Sequence, residues 1–345
     1  MNVAAHSPGP PRGELLTSIA HALLPDELAR YAVTLDRALA AQRPYLTAGE
    51  HQLYQRGKRL RPIVLLLVAR RYLGDAPPSD KVIMAAAALE MLHVASLIHD
   101  DIIDDALTRR GLASVNACRG TKAAILIGDL QFVQAIRCFA DAVETTAELR
   151  LVKRVLDAAF AICCGELDEL TASPLADPEA QRARYFEVIE RKTAIMFGLA
   201  CETGAALGGG RTSDARRAGF YGRRLGRAFQ IMDDVFDFVL PADQSGKGRG
   251  TDLVQRRLSL PIIYAMEELG AAHPLSRLVR GELPATDDRV AEALAAVQRC
   301  AALDRAYADA RAQAIDALEY LQVGPANAYA DALAQLALYT VERAA

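Results

Sequence analysis

Two short stretches of this 345-residue chain carry the same acidic spacing. His99-Asp100-Asp101-Ile102-Ile103-Asp104-Asp105 lies in the first third, and Gln230-Ile231-Met232-Asp233-Asp234-Val235-Phe236-Asp237 follows more than a hundred residues later. Each contains Asp-Asp-x-x-Asp. Residues four apart on a helix share a face, so Asp100 pairs with Asp104 and Asp233 with Asp237. Two such pairs facing one another would crowd like charges, which is costly unless something positive neutralises them. Magnesium suits that task, because it takes hard oxygen ligands and completes its shell with water and substrate phosphates. The pattern predicts a magnesium–diphosphate site inside a helix bundle. A lone acidic i,i+4 pair would ordinarily be a solvated helix face. Here the apolar runs Met91-Leu92-His93-Val94-Ala95-Ser96-Leu97-Ile98 and Gly226-Arg227-Ala228-Phe229-Gln230-Ile231-Met232 lead straight into the acids, which argues for helices whose acidic ends meet a cavity.

The elements that must position these groups are helical throughout. No segment sustains a period-2 alternation, and helices are expected over roughly 14–22, 25–44, 46–56, 59–73, 80–104, 120–141, 146–170, 179–207, 212–240, 257–269, 288–300, 302–321 and 325–343. Breakers fall between them at Gly74-Asp75-Ala76-Pro77-Pro78, Ala172-Ser173-Pro174 and Gly208-Gly209-Gly210, and Pro241 to Gly250 reads as a loop. The fold class is therefore all-α, a single-domain bundle over 13–345 around a central cavity, preceded by a disordered arm at 1–12 that contains Ser7-Pro8-Gly9-Pro10-Pro11.

Composition narrows the function. About half of the residues are hydrophobic, enough for a large core, and the net charge of −3 gives no reason to expect nucleic-acid binding. The six cysteines follow neither a disulfide framework nor a zinc pattern and read as reduced thiols. No secretory signal opens the chain, so a cytoplasmic location is expected. The stretch from Val82 to Ile98 is short for a membrane span and carries Glu90 and His93, so it reads as a core helix.

A diphosphate site also needs cations, and Arg and Lys bind phosphate by charge-assisted hydrogen bonds. Lys58 and Arg61 stand three apart in Gly57-Lys58-Arg59-Leu60-Arg61-Pro62. Arg109-Arg110-Gly111 follows the first acidic motif, Lys192-Thr193 lies between the motifs, and Lys247 sits in Gly246-Lys247-Gly248-Arg249-Gly250 after the second. Each alone would be an ordinary surface charge; their order around the acidic motifs is what carries the reading.

With these motifs in this order, together with Gly128-Asp129, Gly165-Glu166 and Gly246-Lys247-Gly248-Arg249-Gly250-Thr251-Asp252-Leu253, the chain resembles the trans-isoprenyl diphosphate synthases, or polyprenyl synthetases, from about Arg56 to Pro261. The resemblance implies the all-helical type I isoprenoid synthase fold, a homodimer, and head-to-tail 1'-4 condensation of isopentenyl diphosphate onto an allylic diphosphate. It implies that Asp100, Asp104 and Asp233 hold magnesium, three ions with substrate bound, with Asp101 and Asp237 in support. Arg109, Lys192 with its neighbour Thr193, Gln230 and Lys247 would hold the allylic diphosphate. Lys58, Arg61, His93 and Arg110 would hold isopentenyl diphosphate. Asp100, Asp104, Asp233, Arg109, Lys192 and Lys247 form the catalytic set. The metal and cations stabilise the departing diphosphate, and the allylic cation needs a dry, apolar cavity. His99 is expected to orient the aspartates beside it.

Four positions depart from the family pattern. Arg56 replaces a glycine, Glu169 stands where glutamine is frequent, Arg257 takes the place of a lysine, keeping charge but changing geometry, and Ser259 takes the place of a threonine. A class I terpene cyclase would pair one Asp-rich motif with an Asn/Ser/Glu motif, and a regulatory subunit usually loses one acidic motif; both Asp-rich motifs are present here. Product length is read from the helix before Asp100. Ser96 and Ala95, four and five residues earlier, lie about 6–7.5 Å below it. Related short-chain synthases often set an aromatic floor at this level; here both side chains are small. The expectation is an open shaft floored by Leu92 or Phe132 and products of about C30 to C50, with a C15–C20 product as the alternative. A long apolar product would also suit peripheral contact with a membrane.

Overall fold

The computed structural model describes residues 14–146, 148–175, 177–240 and 249–342. The expected arm at 1–12 and Lys247 lie outside them. The described chain is a helix bundle: α1 (Glu14–Leu23), α2 (Pro25–Leu39), α3 (Ala48–Gln55), α4 (Leu60–Leu73), α5 (Asp80–Ile103), the two-residue strands β1 (Thr108–Arg109) and β2 (Leu112–Ala113), α6 (Val115–Arg119), α7 (Thr121–Asp141), α8 (Leu149–Leu170), α9 (Pro178–Ile189), α10 (Ile195–Leu207), α11 (Thr212–Val239), α12 (Thr251–Gln255), α13 (Leu260–Leu269), α14 (Pro274–Val279), α15 (Asp287–Arg299), α16 (Ala302–Leu321) and α17 (Ala328–Val341). The helical expectation holds nearly throughout. Its exceptions are the β1–β2 hairpin, the short helices α6, α12 and α14, and a five-residue π-helical segment, Glu190–Ala194, that interrupts the helix expected over 179–207.

Local chemistry sets several helix starts. Thr47 and Glu50 form a capping box at α3, the Thr47 hydroxyl accepting from the Glu50 N–H at 3.2 Å and the Glu50 carboxylate accepting from the Thr47 N–H at 2.6 Å. Asp177 accepts from two N–H groups of α9, with Pro178 in the first turn, where its missing N–H costs nothing.

The two long helices that carry the acidic motifs are α5, with 24 residues, and α11, with 28. α5 is apolar on nearly every side and packs among α2, α4 and α7. It is long and apolar enough to cross a membrane, but 72% of its apolar window is buried inside the protein and its end carries the aspartates. α7 passes the same length and composition test with only 44% buried. α11 joins two parts of the core: Tyr221 and Leu225 belong to the part built on α4, α5, α7 and α10, and Ala228, Ile231 and Met232 to the part built with α13 and α16.

Glycines let the helices around the second motif approach closely. A Cβ on Gly222 of α11 would lie 2.3 Å from the Phe197 carbonyl oxygen of α10, and one on Gly204 of α10 would lie 2.4 Å from the Leu65 carbonyl oxygen of α4. Backbone cannot move aside as a side chain can, so Gly222→Ala must part α10 and α11. We expect it to lower stability by about 1–3 kcal/mol, read as a shift in urea midpoint; an unchanged midpoint would show that the contact is slack.

Candidate active site

α5 and α11 deliver their acidic ends to opposite walls of one cavity of about 900 Å³. His93, Ser96, Leu97, Asp100 and Asp104 line it from the α5 side, and Phe229, Gln230, Asp233 and Asp234 from α11. The α5 residues follow the 3–4 spacing of a single helix face. The cavity gathers most of the expected site: Lys58, Arg61, His93, Ser96, Asp100, Asp104, Arg109, Arg110, Lys192, Thr193, Gln230, Asp233 and Arg257 all reach its wall.

The five expected metal carboxylates do not form one cluster. Asp101 is 2% exposed and turns away from the cavity to hold Arg109, accepting from its Nε at 2.7 Å and from Nη2. Asp237 works on the backbone: its two oxygens accept from the N–H groups of Thr251 and Asp252 at 3.1 and 3.0 Å and so cap α12. Asp104 accepts a close ion pair from Arg257. Among the described residues no three acidic, imidazole or thiol side chains converge as a ready-made metal site. The acids instead occupy facing walls, which fits an ion that is shared with phosphate and water rather than caged by protein.

Crowding shows in the protonation of these groups. Burial, and then Glu166, push the Asp100 carboxyl up to about 7. Burial and Asp237 push Asp252 up to about 7 as well, against Arg257. Burial raises Asp234 well above the carboxylate range and Asp252 adds to it, while hydrogen bonds from Tyr185 and Gln230 oppose them. Those bonds form a chain: the Thr193 hydroxyl donates to Gln230 Oε1 at 2.7 Å, Gln230 Nε2 donates to Asp234 at 2.9 Å, and the Tyr185 hydroxyl donates to Asp234 at 2.6 Å. Glu166, Asp234, Tyr185 and Asp252 were not among the site residues expected from sequence. Asp234 and Asp252 lie inside recognised motifs, so their signal was present; Tyr185 is brought in by tertiary packing of α9 and has none.

Lys192 stands on the π-helical segment, a type of distortion that recurs at functional sites. It is held by Glu166 at 2.7 Å and by Glu169, which keep its ammonium above the ordinary value although burial works the other way. Gly165 explains its own place in the motif, since a Cβ there would meet Lys192 Cγ at 2.7 Å and Arg191 Cβ at 2.9 Å. Glu190, at the start of the segment, is tied to Arg223 and Arg227 of α11. The unusual Glu169 and Arg257 face each other, and Glu169 is the leading influence that raises the Arg257 guanidinium against burial.

A second group of cations gathers beyond His93. Arg110 and Gly111 make the two-residue turn of the hairpin with φ of 53° and 74°, a left-handed pair that suits Gly111 and strains Arg110. The Arg110 guanidinium then donates to the Leu53 carbonyl at 2.6 Å, over Gly57, where a Cβ would lie 2.6 Å from Nη1. Arg61 lies 4.9 Å from the Phe197 ring centroid, and burial lowers it to about 10. Burial and Arg61 hold His93 well below its usual value, so it enters as neutral imidazole. His99 faces the other way, 3.4 Å from Asp129 and packed on Gly128, where a Cβ would lie 2.3 Å from its ring. It braces α5 against α7 and does not line the cavity.

The expected shaft needs correction. Ser96 and Leu97 line the cavity, faced by Ile162 of α8, but Ala95, Leu92 and Phe132 do not. Ala95 is 0% and Leu92 1% exposed. The reason is helix arithmetic: four residues return to within about 40° of Asp100, whereas five overshoot to about 140°. Ala95 therefore points into the bundle.

The raised Asp100 carboxyl has a consequence for stability. A carboxylate whose folded pKa is about 7 against an ordinary 3.8 supports folding below pH 3.8 and loses that support as pH rises to about 7. In metal-free enzyme, Asp100→Asn is expected to be more stable than wild type, the gap in melting temperature opening between about pH 4 and pH 7 and staying flat above. A gap independent of pH would contradict this account of Asp100.

A family model described as polyprenyl synthetase matches residues 43–297. The chain is 32% identical over 325 residues to heptaprenyl diphosphate synthase component 2 of Geobacillus stearothermophilus, covering 94% of this chain and 98% of that protein. It is 34% identical to octaprenyl diphosphate synthase of Haemophilus influenzae, covering 83% and 84%. The crystal structure of a polyprenyl synthase from Caulobacter crescentus, complexed with calcium and isoprenyl diphosphate, superposes with a TM-score of 0.84 at 29% identity over 96% of this chain and 98% of that one. The facing acidic walls, the basic end and these likenesses together establish that the chain belongs to the polyprenyl synthetase family of prenyltransferases.

Proposed function

We propose that this prenyltransferase joins isopentenyl diphosphate head to tail to an allylic diphosphate, with magnesium, and extends it to a polyprenyl diphosphate of about C30 to C50. The observation that carries the reading is that one cavity gathers the carboxylates Asp100, Asp104 and Asp233 together with the cationic and imidazole groups of Lys58, Arg61, His93 and Arg110. The allylic diphosphate sits at the acidic end among Arg109, Lys192, Thr193, Gln230 and Arg257, and Lys247, outside the described residues, is assigned to it by the motif alone. Isopentenyl diphosphate sits at the basic end.

Magnesium, when bound, supplies the positive charge that the departing diphosphate needs. Asp100, Asp104 and Asp233 would hold it, and Asp101 and Asp237 act one step back by fixing Arg109 and α12. Lys192, Arg109 and Arg257 stabilise the same leaving group by charge-assisted hydrogen bonds. As the allylic C–O bond ionises, Leu97, Ile162 and Phe229 give the cation a wall that offers water no foothold. The isopentenyl double bond attacks the allylic carbon and leaves a tertiary cation; a proton is then lost from the carbon beside that cation, forming the new double bond, and passes to the released diphosphate.

A homodimer is part of the proposal. α7 leaves Leu126 and Val133 outward at 69% and 65% exposure, and the neighbouring α8 leaves Leu156, Phe160 and Leu167 outward along one helical stripe, with Phe160 at 73%. Such a two-helix apolar face suits a second copy of this chain. The cysteines described are all unpaired with one another, in keeping with a cytoplasmic setting.

The deciding experiment incubates the purified enzyme with magnesium, isopentenyl diphosphate and C5, C10, C15 and C20 allylic primers, and sizes the products. Chain elongation supports the reading; cyclised or hydrolysed primer, or no reaction, overturns it. Asp233→Ala is expected to lower turnover by about 10²-fold or more, since it withdraws charge stabilisation from the ionisation step; near-normal elongation at saturating magnesium would remove Asp233 from the site.

Product length has its own test. Ser96→Phe puts a ring into the shaft and is expected to shorten the product, whereas Ala95→Phe points into the core and should cost about 1–3 kcal/mol of stability instead. A wild-type enzyme that stops at C15 or C20 would favour the short-chain reading. An unchanged long product from Ser96→Phe would take the tail along another wall.

A further inference from the structure

Glu90 has no part in the site assigned so far. It lies on α5 one turn before His93, lines the basic end of the cavity and is 1% exposed. Its Oε1 meets no hydrogen-bond donor among the described residues. An unpaired buried carboxylate is expensive, so its neighbours must account for it. Burial raises its carboxyl, and Arg110, Arg61 and Arg59, in that order, pull it back. In return Glu90 is the strongest influence opposing burial at both Arg61 and Arg110. Asp233 and Asp100 reach Arg61 more weakly.

The three guanidinium groups converge at a cost. Arg59 holds φ at 51° and Arg110 at 53°, in the left-handed region that side chains avoid. Arg59 Nε and Arg61 Nε are buried without an acceptor. Arg59 lies 5.8 Å from the Tyr31 ring centroid and Arg61 rests on Phe197. Three like charges lining one end of a cavity repel one another unless an anion stands among them.

We propose that Glu90 is a positioning residue, the buried counter-ion that keeps Arg59, Arg61 and Arg110 converged on the diphosphate of the isopentenyl substrate, with Arg59 as a third guanidinium of that pocket. The proposal rests on the assignment of the basic end to isopentenyl diphosphate made above. Cations already fixed in place lose less freedom on binding, so pre-positioning appears as affinity. The sign is diagnostic. Glu90 is itself negative, so if it did not position the arginines, removing its charge would make a diphosphate bind more tightly.

Glu90→Gln keeps the shape and removes the charge. We expect its KM for isopentenyl diphosphate to rise about tenfold, with kcat and the KM for the allylic substrate moving less than threefold. A merely structural role would lower melting temperature and affect both substrates alike. Calorimetric titration with inorganic diphosphate in EDTA gives a readout independent of turnover: Glu90→Gln and Arg59→Gln should each weaken binding about tenfold. If the wild type makes no prenyl product while its diphosphate binding still depends on Glu90, the proposed function fails and this inference stands. Wild-type-like or tighter binding in both variants, or no diphosphate binding by the wild type, overturns it. Should Glu90→Gln fail to fold, Arg59→Gln and Glu90→Asp decide, since weakened binding in both supports the proposal and normal binding in both ends it.

Discussion

Repulsion among inward-facing carboxylates is the constraint on which the rest of this structure depends. Asp100, Asp104, Glu166, Glu169, Asp233, Asp234 and Asp252 all reach the cavity. Two unit charges 4 Å apart repel by about 4 kcal/mol at an effective dielectric constant near 20. Something must hold such groups inward, and the apolar bodies of the helices that carry them do so. Val82, Ile83, Leu89, Met91, Leu92 and Val94 of α5 are each at most 1% exposed. Each large apolar side chain so buried contributes about 1.5–3 kcal/mol. The helix is anchored along its length and can present an unfavourable end.

The residual repulsion is met in three ways that leave a record in the geometry. Some acids are turned to other work: Asp101 grips Arg109, and Asp237 caps α12. Others take a protein cation, as Asp104 takes Arg257 and Glu166 and Glu169 take Lys192. The remainder shift toward the protonated form, as Asp100 and Asp252 do. The last two are provisional in the proposed reaction. A metal-bound diphosphate brings both the positive charge the acids lack and the negative charge that Lys192, Arg109 and Arg257 can accept.

Much of this was legible in the sequence because it is local. The i,i+4 acidic pairs, the apolar runs before them and the order of the basic motifs need only helical periodicity to be read. What escaped depends on tertiary contact or on departures from regular helix. The π-helical segment that carries Lys192 is contacted by Gly165 and tied through Glu190 to Arg223 and Arg227, partners far away in sequence that local periodicity cannot announce. Tyr185 reaches Asp234 from 49 residues away. The hairpin at Arg110-Gly111 is too short for any alternation to announce it. Ala95 was misplaced for a different reason: counting rise along the helix without counting rotation assigns depth but not direction.

The helix that carries the first motif also sets the distance over which the proposed reaction must occur. His93 belongs to the basic end and Asp100 to the acidic end, and seven residues of helix separate them by about 10 Å. Seven residues are close to two full turns, so both side chains stand on one face, with Ser96 and Leu97 between them. In the proposed reaction two diphosphates anchored at those levels leave a gap for the five-carbon units to meet beside Ser96 and Leu97. A rigid α5 thus acts as a ruler for the two head groups, and its acidic and basic ends can be tuned separately without changing the spacing between them.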